Sequence, residues 1–113
     1  MDASAPLTPV VFHVLLSLAE GPLHGYAIMK RAEQESGRSL GPGTIYGSLQ
    51  RLADAGWVTE SHPDGEAGGT RRGTTFVLTD EGRRALAAEA SRIVRLARLE
   101  AVRKAAPSHH VAG

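Results

Sequence analysis

Five histidines, twelve carboxylates and no cysteine are the side chains with which this 113-residue chain would bind a metal or catalyse a reaction. Their placement argues against both. His13, His24, His62, His109 and His110 have no metal-ligand spacing on a helix face. The absence of cysteine removes thiolate metal sites, thiol nucleophiles and a disulfide scaffold. No serine sits in a strand-turn-helix nucleophile setting, and no two carboxylates form a pair directed at an evident pocket. The run GPGTIYG from Gly41 has the glycines of a phosphate loop, but no strand precedes it and it lacks the lysine, so it reads as a tight helix entry. The expectation is a protein with no catalytic residue, no metal and no cofactor, and not an enzyme.

A second kind of chemistry, contact with a polyanion, has better candidates. On a helix beginning at Pro42, Thr44, Gly47, Ser48 and Arg51 fall on one side at 100° per residue, opposite Ile45, Leu49, Leu52 and Ala53. Gly47 and Ser48 are small enough to let a backbone approach the floor of a DNA major groove, while Thr44 and Arg51 can donate to phosphates or base edges. The helix-start amides near Gly43 and Thr44 could accept a phosphate. Arg71 and Arg72, in a glycine-rich loop, could reach an adjacent minor groove or backbone, with a solubility role as the alternative. A merely solvated helix face, or a face for a protein partner, stays open as the alternative. A small-molecule binding protein has only a possible cavity between subunits in its favour.

Charge distribution agrees with a polyanion partner. The net charge is +1, yet residues 1–66 carry four basic and eight acidic side chains, giving −4, and residues 67–113 carry nine and four, giving +5. Eleven of the thirteen cations are arginine, which suits planar, bidentate contacts and fits a codon bias equally well.

These residues need elements to position them. Thr8 and Pro9 form a helix start, and Pro9 to Glu20 reads as a largely apolar helix stopped by Gly21 and Pro22. A second helix runs from about His24 to Ser36, with Tyr26, Ile28, Met29 and Ala32 as its apolar positions and Gly37 as its end. Gly41 and Pro42 start the third, which continues to about Ala55. Trp57 to Ser61 and Thr74 to Leu78 read as two short strands around the loop His62–Gly73, with Trp57 assigned to the core.

Thr79 caps a last helix reaching about Lys104, with Asp80 and Glu81 at its positive end. Leu86, Ala90, Ile93, Val94, Ala97 and Ala101 make an apolar stripe on it. About 25 residues span roughly 37 Å, more than a three-helix core can cover, so the outer half is expected to pack on another chain. The fold class is therefore mainly α with a two-stranded β wing: a winged helix-turn-helix followed by a long C-terminal dimerisation helix.

The expected boundaries are a flexible segment 1–7, a DNA-binding domain 8–79, a dimerisation helix 80–104 and a disordered tail 105–113. The apolar stretch from Val10 to Ala19 is broken by His13 and Ser17 and follows no basic run, so neither a signal peptide nor a membrane span is expected. A cytoplasmic protein with no membrane partner is the expectation.

The runs GPLHGY (Gly21 to Tyr26), PGTIYGSLQRLADAGWV (Pro42 to Val58) and LTDEG (Leu78 to Gly82) closely resemble the PadR family of bacterial transcriptional regulators, over about Val10 to Leu86. The single long terminal helix looks like the family's short subtype. The resemblance implies a homodimeric winged-helix repressor of a palindromic double-stranded DNA operator, released by a small hydrophobic effector. It implies DNA-facing roles for Pro42, Gly43, Thr44, Tyr46 and Ser48, with the Tyr46 hydroxyl on a phosphate. Packing between the second and third helices is the alternative for Tyr46, and a turn role is the expectation for His24, Gly25 and Tyr26. The chain departs from the family pattern at Gly41, where a serine cap is common, and at Thr74, Thr75 and Phe76, where a basic residue and two tyrosines are usual.

Overall fold

The computed structural model describes residues 6–61 and 74–105. Most of the expected N-terminal segment, the wing loop with Arg71 and Arg72, and the tail from 106 lie outside the described residues. The elements in chain order are α1 (Pro9–Ser17), β1 (Leu23–His24), α2 (Gly25–Ser36), α3 (Pro42–Asp54), β2 (Val58–Ser61), β3 (Thr75–Leu78) and α4 (Asp80–Ala105).

Thr8 caps α1 as its type predicts, its hydroxyl accepting the Val11 amide at 3.2 Å. The helix stops short of the predicted Glu20. At Leu18 and Ala19 the amides turn to carbonyls three residues back, at 3.0 and 3.1 Å, a tightening that precedes Gly21 and Pro22.

The wing is joined by a strand that the sequence reading did not include. β1 pairs antiparallel with β3, Leu23 opposite Phe76 and His24 opposite Thr75, so the sheet order is β1-β3-β2. Two residues are too few to show an alternating pattern, so the sequence places His24 in the following helix. In the β2–β3 ladder Glu60 faces Phe76 and Ser61 faces Thr75.

The core lies where the three helices and the sheet meet: Val14, Leu15, Leu18, Ile28, Ala32, Ile45, Leu49, Leu52 and Trp57 are buried. Each large apolar side chain so buried contributes about 1.5–3 kcal/mol. Trp57 takes the predicted core position. Tyr26 does not join Ile28 and Ala32: it is 62% exposed, with the Lys30 ammonium 5.6 Å over its ring.

The ends of α3 and α4 are settled at one place. After Asp54 and Ala55, Gly56 adopts φ +83°, and the Gly56 and Trp57 amides donate to the Ala53 and Leu52 carbonyls at 3.0 and 2.9 Å. That is a Schellman closure, with Trp57 over Leu52. Thr79 then ties α4 to it: its amide donates to the Trp57 carbonyl at 3.0 Å and its hydroxyl to the Gly56 carbonyl at 2.6 Å. The same hydroxyl oxygen accepts the Gly82 amide at 3.1 Å, capping α4. A Cβ at Gly82 would collide with the Trp57 carbonyl, so only glycine allows this approach.

Farther along α4, Glu89 is 5% exposed and held by three donors: Arg92 Nη2 at 2.6 Å, Arg92 Nε at 3.1 Å and the Leu7 amide at 3.3 Å. The hydrogen-bonded Arg92 guanidinium, with the Leu7 amide, holds this carboxyl below the ordinary glutamate value against the opposing effect of burial. The chain segment before α1 is thereby tied to α4. From Ile93 to Ala105 every residue is exposed, and the described residues measure 69 × 27 × 21 Å because α4 runs past the core.

Two outcomes are expected in urea denaturation. Gly82→Ala should lower stability by about 1–3 kcal/mol through overpacking, although alanine is favoured over glycine by about 1 kcal/mol in an open helix. Gly43→Ala, whose Cβ meets nothing within 4 Å, should lose nothing. Glu89 has a lowered folded-state pKa, so its contribution is complete above about pH 4.3 and is lost as pH falls through the lowered value. Glu89→Gln should accordingly be less stable than the wild type at pH 7, with the gap narrowing on acidification; an unchanging gap from pH 7 to pH 3 contradicts it.

Candidate nucleic-acid interface

The entry to α3 is set by a short turn after α2. Gly37, at φ +70°, ends α2, and Leu40 packs against the core while its amide donates to the Glu33 carboxylate at 2.7 Å. Gly41 then occupies the cap in an extended conformation with no side-chain bond, and Pro42 opens the helix. The predicted glycine–proline start is the observed one.

The close approach of α2 to α3 depends on Gly25. A Cβ there would lie 2.5 Å from the Tyr46 hydroxyl oxygen and 2.6 Å from a ring carbon, so the Tyr46 ring rests on the first residue of α2. Packing between the two helices is therefore one of its roles, and with 45% of its surface exposed its outer edge still meets solvent. Beside it, His24 Nδ1–H donates to the Thr74 carbonyl at 2.9 Å, fastening the start of α2 to the wing. His24 and Gly25 thus work at a strand-to-helix junction, where a turn is the sequence expectation, and Tyr26 faces outward on α2.

The outward side of α3 carries Pro42, Gly43, Thr44, Gln50 and Arg51 exposed and Gly47 half-buried. Ser48 departs from the predicted face, being 1% exposed. It lies 60° from Ile45 on the helical wheel, and Ile45, Ser48, Leu49 and Leu52 form the i, i+3, i+4, i+7 stripe that faces the core. From that position its hydroxyl accepts Arg51 Nη2 at 3.3 Å, so it orients Arg51 rather than facing outward. The guanidinium lies back along the helix beside Gly47, where an added Cβ would come within 3.8 Å of it.

Sequence reasoning missed Gln50. Its position, three residues after Gly47 and seven after Gly43, places it on the same outward side, a relation that the wheel angle alone could have given. Its Nε2 donates to Asp54 Oδ1 at 3.2 Å. Between this side of α3 and the wing lies a groove of about 520 Å³, lined by Tyr46, Gln50, Glu60, Thr74 and Phe76 among others. Arg71 and Arg72 lie outside the described residues.

On α4, the six residues assigned to pairing divide. Leu86 packs against the core of its own chain and Ala90 is half-buried, whereas Ile93, Val94, Ala97 and Ala101 are exposed. Leu96, Leu99 and Val102, which the predicted stripe omitted, are 49%, 54% and 67% exposed. No helix among the described residues is long and apolar enough to cross a membrane.

Three helices, a small antiparallel sheet and a glycine-rich outward side on α3 define a winged helix-turn-helix protein of the gene-regulatory kind. Residues 14–88 match the transcriptional regulator PadR-like family, and the chain belongs to that family, whose members regulate transcription and are not enzymes. It is 48% identical over 83 residues to an uncharacterised 37.1 kDa protein of transposon TN4556 from Streptomyces fradiae, covering 74% of this chain and 22% of that protein. The chain thus spans about a fifth of that relative's length. Its fold is similar to that of H. salinarum RosR (TM-score 0.68, 26% identity, 89% of this chain and 93% of the other). It is also similar to Bacillus subtilis PadR in complex with operator DNA (TM-score 0.57, 29% identity, 70% and 45%) and with p-coumaric acid (TM-score 0.55, 28%, 70% and 42%).

The Gly25–Tyr46 contact predicts a coupled pair. Gly25→Ala should lower stability by about 1–3 kcal/mol because the ring has to move, and in a Tyr46→Ala background the same substitution should cost far less. Urea denaturation of the four proteins measures the coupling; strictly additive costs refute the contact.

Proposed function

We propose that the chain is a sequence-specific DNA-binding repressor that acts as a homodimer in the cytoplasm, each copy presenting α3 to successive major grooves of a palindromic operator. The observation that carries the reading is the outward side of α3, where Gly43 and Gly47 leave the backbone accessible beside exposed Thr44, Gln50 and Arg51. A family relative solved on operator DNA supports it. Residues 8–79 form the DNA-binding unit in this reading, with the Tyr46 hydroxyl and the arginines at 71 and 72 on phosphates and Arg51 on a base edge or phosphate.

Residues 80–104 pair the two copies. Ile93, Val94, Ala97 and Ala101 are exposed within about 100° of one another on a helix that extends past its own core, a stripe that a second α4 would cover, with Leu96, Leu99 and Val102 on the other side. The half-sites are then about 34–36 Å apart, one turn of duplex. A small hydrophobic effector releases the DNA, in keeping with the p-coumaric acid complex of the Bacillus subtilis relative.

A gel shift with duplex from upstream of the protein's own gene tests the reading. The expected result is a complex of two chains per duplex whose affinity falls steeply with salt, and a loss of at least about fivefold for Arg51→Ala. No shift at low salt with excess protein points instead to a module that binds protein.

A further inference from the structure

On the reading just given, we infer that Gln50 recognises an adenine in the major groove and that Asp54 positions it to do so. Gly43, Gly47, Gln50 and Asp54 follow one another along the outward side of α3 at i, i+4, i+7 and i+11. The two glycines put no side chain ahead of Gln50, so it is the first side chain of that line to stand above the backbone. Of its neighbours, the Tyr46 ring rests on Gly25 and the Arg51 guanidinium lies beside Ser48, on a different line of the outward side. Gln50 is thus the exposed, uncharged side chain on this face able both to donate and to accept two-pronged contacts.

Asp54 removes the ambiguity that a free carboxamide would have. A carboxylate accepts only, so the end of the amide turned towards Asp54 is the nitrogen, as the 3.2 Å contact from Nε2 to Oδ1 records. One hydrogen of Nε2 is used there. The second N–H and the carbonyl Oε1 remain, with their order along the helix fixed. Adenine presents an acceptor, N7, beside a donor, N6–H, and satisfies both groups at once. Guanine offers two acceptors and would set O6 against Oε1, cytosine offers only a donor, and thymine offers an acceptor beside a methyl group.

Selection from a random duplex pool tests this, run with the full chain and with Gln50→Ala, Gln50→Arg and Asp54→Ala, each checked by thermal unfolding. The wild type should enrich adenine at one fixed position in each half-site. Gln50→Ala should lose that preference alone, binding the selected duplex about tenfold more weakly, and Gln50→Arg should move it to guanine. Asp54→Ala should broaden the base choice at the same position with an unchanged unfolding midpoint, a change that a purely structural role would not produce. Retention of the wild-type preference by Gln50→Ala, or a Gln50-dependent preference for another base, overturns the assignment to Gln50. An intact preference in Asp54→Ala overturns the positioning role. A wild type that binds no duplex at all overturns the DNA-binding reading, and this inference with it.

Discussion

The backbone carbonyls of Gly56 and Trp57 hold the molecule's two working helices in one frame. The C-terminal end of α3 and the N-terminal end of α4 both leave backbone groups without intrahelical partners, and burying either end alone would be costly. Here they share a solution. Gly56 and Trp57 turn back on α3, their carbonyls receive the Thr79 hydroxyl and amide, and Gly82 lets α4 close over them. The direction of α4 relative to α3 is therefore fixed by short, directional bonds to main chain, beside the buried Trp57.

The arrangement on α3 follows the same logic on a smaller scale. An arginine that searches freely loses rotamer entropy when it binds, whereas Arg51 is already laid along the helix by Ser48 and given room by Gly47. Tyr46 is seated on Gly25, and the Gln50 amide is oriented by Asp54. Tyr46, Gln50 and Arg51 are thus each preset by one neighbour.

Local signals carried much of this into the sequence. Thr8 with Pro9, Gly41 with Pro42 and Thr79 with Asp80 each mark a helix start by the chemistry of the cap, and all three starts are where those residues put them. Features made by contacts distant in the chain were not legible. Ser48 is polar and small, so its type suggested an outward place, while its angular position put it beside Ile45 under the core. β1 exists only because β3 lies alongside it, and Tyr26 is apolar by type yet exposed. Glu89 gave no sign of burial, because its partners are one turn ahead and 82 residues behind.

The length of α4 has a mechanical consequence for the proposed dimer. Its first three turns are bound to the domain by Thr79, Gly82, Ala85 and Glu89, so the base of the helix is fastened to the winged-helix unit. Its outer half carries Ile93, Val94, Leu96, Leu99 and Val102 into solvent, and apolar side chains on a solvated helix gain most by covering one another. If two such helices cross, a change in crossing angle is multiplied by the length of the lever before it reaches α3. The spacing of two recognition helices must match one turn of duplex closely. In the proposed dimer, a small molecule lodged between the crossing helices would then weaken DNA binding without touching α3, because α4 is hydrogen-bonded to the end of α3 at Gly56 and Trp57.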